Sequence, residues 1–113
     1  MRISTPSGSI DVPDEEPIRP LPNDMLGLAV ETVRLVPING QRHPPGEGTS
    51  GWYIWGGNER SEAANFFSPI HVQELGDYLP NILPYLDLPP GFRFRIDNKG
   101  LKDVWFDASL LDV

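Results

Sequence analysis

Hydrophobic and polar residues alternate most clearly in three stretches of the second half of the chain. In Gly51–Gly57, "GWYIWGG", Trp52 and Ile54 fall on one side of an extended strand, and Tyr53 and Trp55 on the other. In "FRFRI", Phe92, Phe94 and Ile96 alternate with Arg93 and Arg95, the pattern of a half-buried strand. In "DVWFD", Val104 and Phe106 oppose Trp105. The turn "DNKG", Asp97 to Gly100, joins these last two as a hairpin. Met25–Val36 also alternates and is rich in β-branched residues, so it predicts a strand, although Leu26, Ala29, Val30 and Val33 fit a helical stripe too. Pro37 and "INGQ" follow as a predicted turn, and Arg42–Ser50 as a loop.

Between the strands the period changes. Ser68 and Pro69 are a cap and a first helical residue, and Val72, Leu75 and Leu79 recur at helical spacing. Pro80 interrupts, and Ile82, Leu83 and Leu86 continue the stripe into a second short helix starting near Pro80 or Pro84. "LPPG" turns the chain into the Phe92 strand. The expected architecture is α+β: a small antiparallel sheet of about four strands, with one or two short helices packed on one face.

Composition refines this picture. All eleven aromatic residues lie at or after Trp52, so the second half supplies most of the core. Thirteen prolines among 113 residues, about twice ordinary usage, cut the chain into short elements. Residues 1–24 hold five of them together with the acidic run Asp14-Glu15-Glu16. This segment reads as an extended proline-rich tail lying along the domain of residues 25–113.

A formal charge of −7 argues against nucleic acid or an anionic membrane surface as partner, since both need clustered Lys and Arg. It permits a basic protein partner. With no cysteine there is no disulfide, thiolate metal site or cysteine nucleophile. No basic region followed by an apolar run opens the chain, and no apolar stretch approaches membrane-spanning length, so a cytoplasmic protein is expected.

No catalytic motif emerges. His71 and Glu74 share a helix face and could perform acid–base work, but a solvated face explains them better. Arg93 and Arg95 could grip a carboxylate, but pairing with acidic residues across the sheet is the simpler account. No cofactor or metal is expected. The surplus of aromatics opposite the expected core points instead to protein binding through Tyr53, Trp55 and Trp105. Trp55 and Trp105 suit core and interface equally. One face of "GWYIWGG" should lie on the Val72–Leu79 helix, and the other under the tail or a partner.

"GWYIWGG", "PNILPYLDLPPGFRF" and "DVWFD", in that order and spacing, resemble the bacterial immunity proteins of polymorphic toxin systems, in particular the group numbered thirty-three, formerly a domain of unknown function. The matching positions are Gly51-Trp52, Pro80, Ile82 and Leu86, then Pro89, Gly91 and Phe94. They span about half the chain, and Met1–Ser50 contributes nothing. The resemblance implies a non-enzymatic protein that binds and neutralises a cognate toxin domain; it implies no catalytic residues. Acidic side chains around the helical segment, Glu59, Glu62, Glu74, Asp77 and Asp87, would speed encounter with a basic toxin surface, with Glu62, Glu74 and Asp77 as the binding candidates. The alternatives are a homodimer or other oligomer packed through Trp55 and Trp105, a small-ligand domain, or a minor enzyme using His71 and Glu74.

Overall fold

In the computed structural model, which describes residues 17–61, 63 and 65–112, the "GWYIWGG" run lies within an eight-residue strand near the middle of a sheet. The strands are β1 Met25–Leu28, β2 Ile38–Arg42, β3 Thr49–Gly56, β4 Ser68–His71, β5 Phe92–Ile96 and β6 Lys102–Phe106. They form one six-stranded sheet in the order β4-β1-β3-β2-β5-β6. All neighbours are antiparallel except β1 and β3, which run parallel. The fold is α+β as expected, but the sheet is mixed and has six strands instead of about four.

The extra strands come from two segments whose local chemistry points elsewhere. "INGQR", expected as a turn and the start of a loop, is the wholly buried strand β2 between β3 and β5. Asn39 keeps its backbone-seeking side chain satisfied inside the sheet: its amide donates to Gly57 O at 2.7 Å and to Pro37 O at 3.3 Å. Gly40 is in the strand because the Phe94 ring lies against its Cα; a Cβ there would overlap the ring. Ser68-Pro69, expected to open a helix, lies instead in the edge strand β4, where a missing N–H is tolerated. In Met25–Val36 only Met25–Leu28 is strand; the alternative helical stripe is realised as a single 3₁₀ turn at Val30–Thr32.

Two helices fall near their expected positions but are 3₁₀ in form, Val72–Asp77 and Pro80–Asp87, and a further 3₁₀ helix not expected from the sequence lies at Ala108–Leu111. Prolines at 80 and 84 remove the N–H groups that a longer helix would need. The first two cover one face of the sheet. There Leu75, Leu79, Ile82, Tyr85 and Leu86 meet Leu28, Trp52, Ile54, Phe94 and Val104 in one continuous core. Trp52 contacts Phe94 with ring centroids 5.4 Å apart, and Tyr85 stacks on Phe94 at 5.0 Å.

Arg42 closes one end of this core. It is 1% exposed. Its guanidinium donates to the carbonyls of Ser50 (2.9 Å), Ile18 (2.6 Å), Leu86 (3.1 Å) and Leu88 (2.8 Å) and stacks on Trp52 at 5.6 Å. Ile18 N donates in turn to Asp87 O, Val72 N to Asp24 O and Gln73 N to Pro22 O. Residues 17–24 therefore lie along the helical cover; the first sixteen residues of the expected tail lie outside the described residues.

Replacing Arg42 with Met would strand the carbonyls of Ile18, Ser50 and Leu88 in the interior. At about 1 kcal/mol each or more, urea denaturation of the variant should show a loss of at least about 3 kcal/mol. Gly40→Ala should cost about 1–3 kcal/mol by the same measurement, because the buried Phe94 ring must move.

Candidate binding face

The second face of the sheet is built from the alternate residues of the same strands. Strand register brings Tyr53 beside Gln41, Gln41 beside Arg93 and Arg93 beside Trp105; one step along, Trp55, Asn39, Arg95 and Asp103 align. Tyr53, Trp55 and Trp105 thus share the face opposite the core, as their alternation predicts. Their exposure differs. Tyr53 is 37% exposed and Trp105 partly buried, whereas Trp55 is 5% exposed.

Trp55 is covered by its own chain. Phe67 meets its ring edge-on at 6.1 Å, and the Arg60 guanidinium lies 5.8 Å from its ring centre and 5.4 Å from that of Phe67. Phe67 also packs on Tyr53 at 5.2 Å. The cover expected from the tail or a partner is supplied, among the described residues, by the segment after β3.

Arg93 and Arg95 flank Trp105, at 5.4 and 5.9 Å from its ring. Arg93 Nη1 donates to Asp107 Oδ2 at 3.0 Å, and Arg95 Nε donates to Asn39 Oδ1 at 3.2 Å. Pairing with acidic residues, expected for these arginines, is therefore seen at Arg93, with the partner beyond the strand end. Asp107 also accepts from the Ser109 hydroxyl (2.6 Å) and Ser109 N (3.0 Å). These bonds, the hydroxyl first and then Arg93, hold its carboxyl below the usual range against the opposing effect of burial.

These groups surround a cavity of about 520 Å³ between Asn58–Arg60 on one side and Asp107–Leu110 on the other, floored by Asn39, Gln41 and Trp55. His43 is on its wall. Leu110 O can only accept, so the 2.9 Å bond places the His43 proton on Nδ1. A second hollow of about 380 Å³ shares His43 and Arg60 and runs past Tyr53.

Of the expected acidic rim, Glu74 and Asp77 do not adjoin these aromatics, whereas Glu59 lies beside the cavity-lining Arg60. Glu74 and Asp77 are exposed on the Val72–Asp77 helix, which covers the other face; Glu62 lies outside the described residues. Arginines, not carboxylates, flank Trp55 and Trp105. The His71–Glu74 pair, 3.1 Å apart, forms a capping box, with His71 N donating to Glu74 Oε1 at 2.7 Å. That backbone bond is the main reason the Glu74 carboxyl titrates below its usual value. The pair thus serves the helix start, while Arg93 and Arg95 do converge on a cavity.

Sequence reasoning missed Asn39, Gln41 and Arg60 and left His43 without a role. The spacing of Asn39 and Gln41, two apart like Arg93 and Arg95, was the available signal, masked by the turn chemistry of Asn39-Gly40. Among the described residues, no group of three or more His, Cys, Asp or Glu side chains could hold a metal ion, and no helix is long and apolar enough to cross a membrane. The family model described as Imm33-like domain matches residues 10–107, starting well before the Gly51 at which the recognisable motifs begin. No curated protein and no solved structure matches the chain.

Trp55→Ala should behave as a core truncation, with a loss of about 3–5 kcal/mol in chemical denaturation. Trp105→Ala, starting from a partly exposed ring, should lose less. The lowered Asp107 pKa gives the sign of a pH effect. Its contribution to stability is complete above the ordinary carboxylate pKa and fades as pH falls through the lowered folded value. Thermal melts should therefore show Asp107→Asn less stable than the parent at neutral pH, with the gap narrowing in acid.

Proposed function

The chain belongs to the Imm33-like domain family, and on that premise we propose that it is a binding module that neutralises a cognate toxin domain by occluding it. The family match over residues 10–107 is the observation that carries this reading. The second face supports it chemically. Tyr53, Trp105 and Arg60 are of the residue types that dominate binding hot spots; the first two stand on the sheet, and Arg60 is stacked on Trp55 and Phe67 from the segment after β3. Neutralisation by occlusion needs shape and charge complementarity and no bond-making by the inhibitor.

On this reading Tyr53, Trp105 and Arg60 make direct contact, and Trp55 acts by holding Arg60 in place. Glu74 and Asp77, on the opposite side, act at a distance by attracting a basic toxin surface. A second reading, a small-ligand domain, draws on the convergence of Arg93 and Arg95 on the cavity.

Affinity capture with the full chain from its source cells, followed by mass spectrometry, tests the proposal when coupled to growth. The expected outcome is one stoichiometric partner with a toxin domain, whose expression alone arrests growth and whose co-expression with this chain does not. A captured domain whose toxicity is unaffected by the chain would contradict it. Tyr53→Ala should weaken capture with little effect on melting temperature, because its ring is already more than one-third exposed.

A further inference from the structure

Two groups on the second face have bonding capacity that the protein itself does not use. Gln41 is 3% exposed and floors the 520 Å³ cavity, yet its side-chain amide has no hydrogen bond among the described residues. Its amide atoms are not fully withdrawn from solvent, so they face the cavity and are open to a ligand in place of water. Arg60 is the second. Stacking on Trp55 and Phe67 engages the flat face of its guanidinium and leaves the in-plane N–H donors available. Among the described residues it has no ion pair. Arg93 lines the same cavity, but its unpartnered Nε is sealed from solvent and its Nη1 is held by Asp107, so it contributes charge more than a free donor.

From this geometry we infer that the cavity is a carboxylate site, and that its occupant is an acidic side chain presented by a protein partner. The inference deepens the toxin-binding reading and rests on it for the partner's nature. Charge identifies the ligand. Arg60, Arg93 and Arg95 line the cavity against one carboxylate, Asp107. Asp103, opposite Arg95 in the sheet, and exposed Glu59, between the lining residues Asn58 and Arg60, lower this surplus further. So small a surplus favours a singly charged anion such as a carboxylate over a more highly charged one. Arg93 already holds a carboxylate at 3.0 Å, so the site's donor geometry suits the group.

The surroundings identify the source. The adjoining hollow, sharing His43 and Arg60, extends the surface past the exposed Tyr53, a footprint larger than a free small acid needs. The chain's net charge of −7 repels an acidic partner in general, so attraction at this one point also sets the docking position.

The test is a nuclear magnetic resonance titration of the ¹⁵N-labelled full chain with acetyl-Gly-Glu-Gly-amide. Its Gln counterpart, sodium glutarate, sodium phosphate and sodium chloride at matched ionic strength are the comparisons. The Glu peptide should shift the Gln41 side-chain amide and the Arg60 and Arg93 Nε–H signals saturably, and the Gln peptide and chloride should not. Arg60→Gln should weaken the Glu peptide roughly tenfold. Equal responses to the Gln peptide or chloride would overturn the site, and a stronger response to phosphate would overturn its carboxylate selectivity. Tighter binding of glutarate than of the peptide would overturn the protein source. The full-length Asp14→Asn/Glu15→Gln/Glu16→Gln chain provides one more arm. Saturation seen only in that variant would assign the site to the chain's own acidic run instead. Because no toxin is present, failure here leaves the toxin reading to the capture and growth experiment.

Discussion

A buried arginine held by main-chain carbonyls is the constraint around which this small domain is arranged. A guanidinium withdrawn from water needs partners for its donors, and through Nε and Nη1 Arg42 reaches four carbonyls in three parts of the chain. Burial pushes its pKa down, and the carboxylates of Asp87 and Asp24 push it back toward its ordinary value. Because the bonds go to carbonyls of residues 18, 50, 86 and 88, the N-terminal segment, the central sheet and the helical cover are fastened at one point. Trp52 contributes from the neighbouring strand: its ring lies under the guanidinium, and its indole N–H donates to Leu86 O, a carbonyl that Arg42 also uses. The 3₁₀ segments, too short and too proline-cut to be stable alone, are held through these bonds and the core beneath them.

On the proposed reading, sealing the first face leaves recognition to the second. The same two-residue period that turns Phe92, Phe94 and Ile96 inward turns Arg93 and Arg95 outward, beside Asn39 and Gln41 of β2. The result is a polar and aromatic surface whose side chains are positioned by strands and by one another: Asn39 holds Arg95, Asp107 holds Arg93, and Trp55 with Phe67 supports Arg60. Such support lowers the entropy lost on binding. On the proposed reading of this Imm33-like family member, a rigid face of this kind is what occlusion of a toxin domain requires, and net negative charge elsewhere on the chain is what would steer a basic partner.

The strands with strict alternation were legible from sequence. β3, β5 and β6 carry large apolar residues at every second position, and no local preference competes with that signal. β2 and β4 were not legible, because Asn39-Gly40 and Ser68-Pro69 favour turns and helix starts locally and are overridden by long-range pairing. The helical stripe was visible, but 3₁₀ geometry follows from proline positions and packing together. Of the binding face, the aromatics could be placed by parity alone. The cavity could not: Gln41, Arg60 and Asp107 are far apart in sequence, and only the register of β2 and β5 and the path of the chain after β3 bring them together. Of the acidic candidates, Glu74 and Asp77 were drawn from the helical segment, which folds onto the other side.

The claim that recognition uses the second face can be read from three indole signals. Trp52 reports the sealed core, Trp105 the second face, and Trp55 the Arg60–Phe67 cover on that face. In a ¹⁵N spectrum of the full chain titrated with the toxin domain captured with it, the account predicts that the Trp105 and Trp55 indole signals shift with saturation while that of Trp52 stays in place. Unmoved Trp55 and Trp105 signals, with backbone shifts confined to the exposed side of Val72–Asp77, would contradict it.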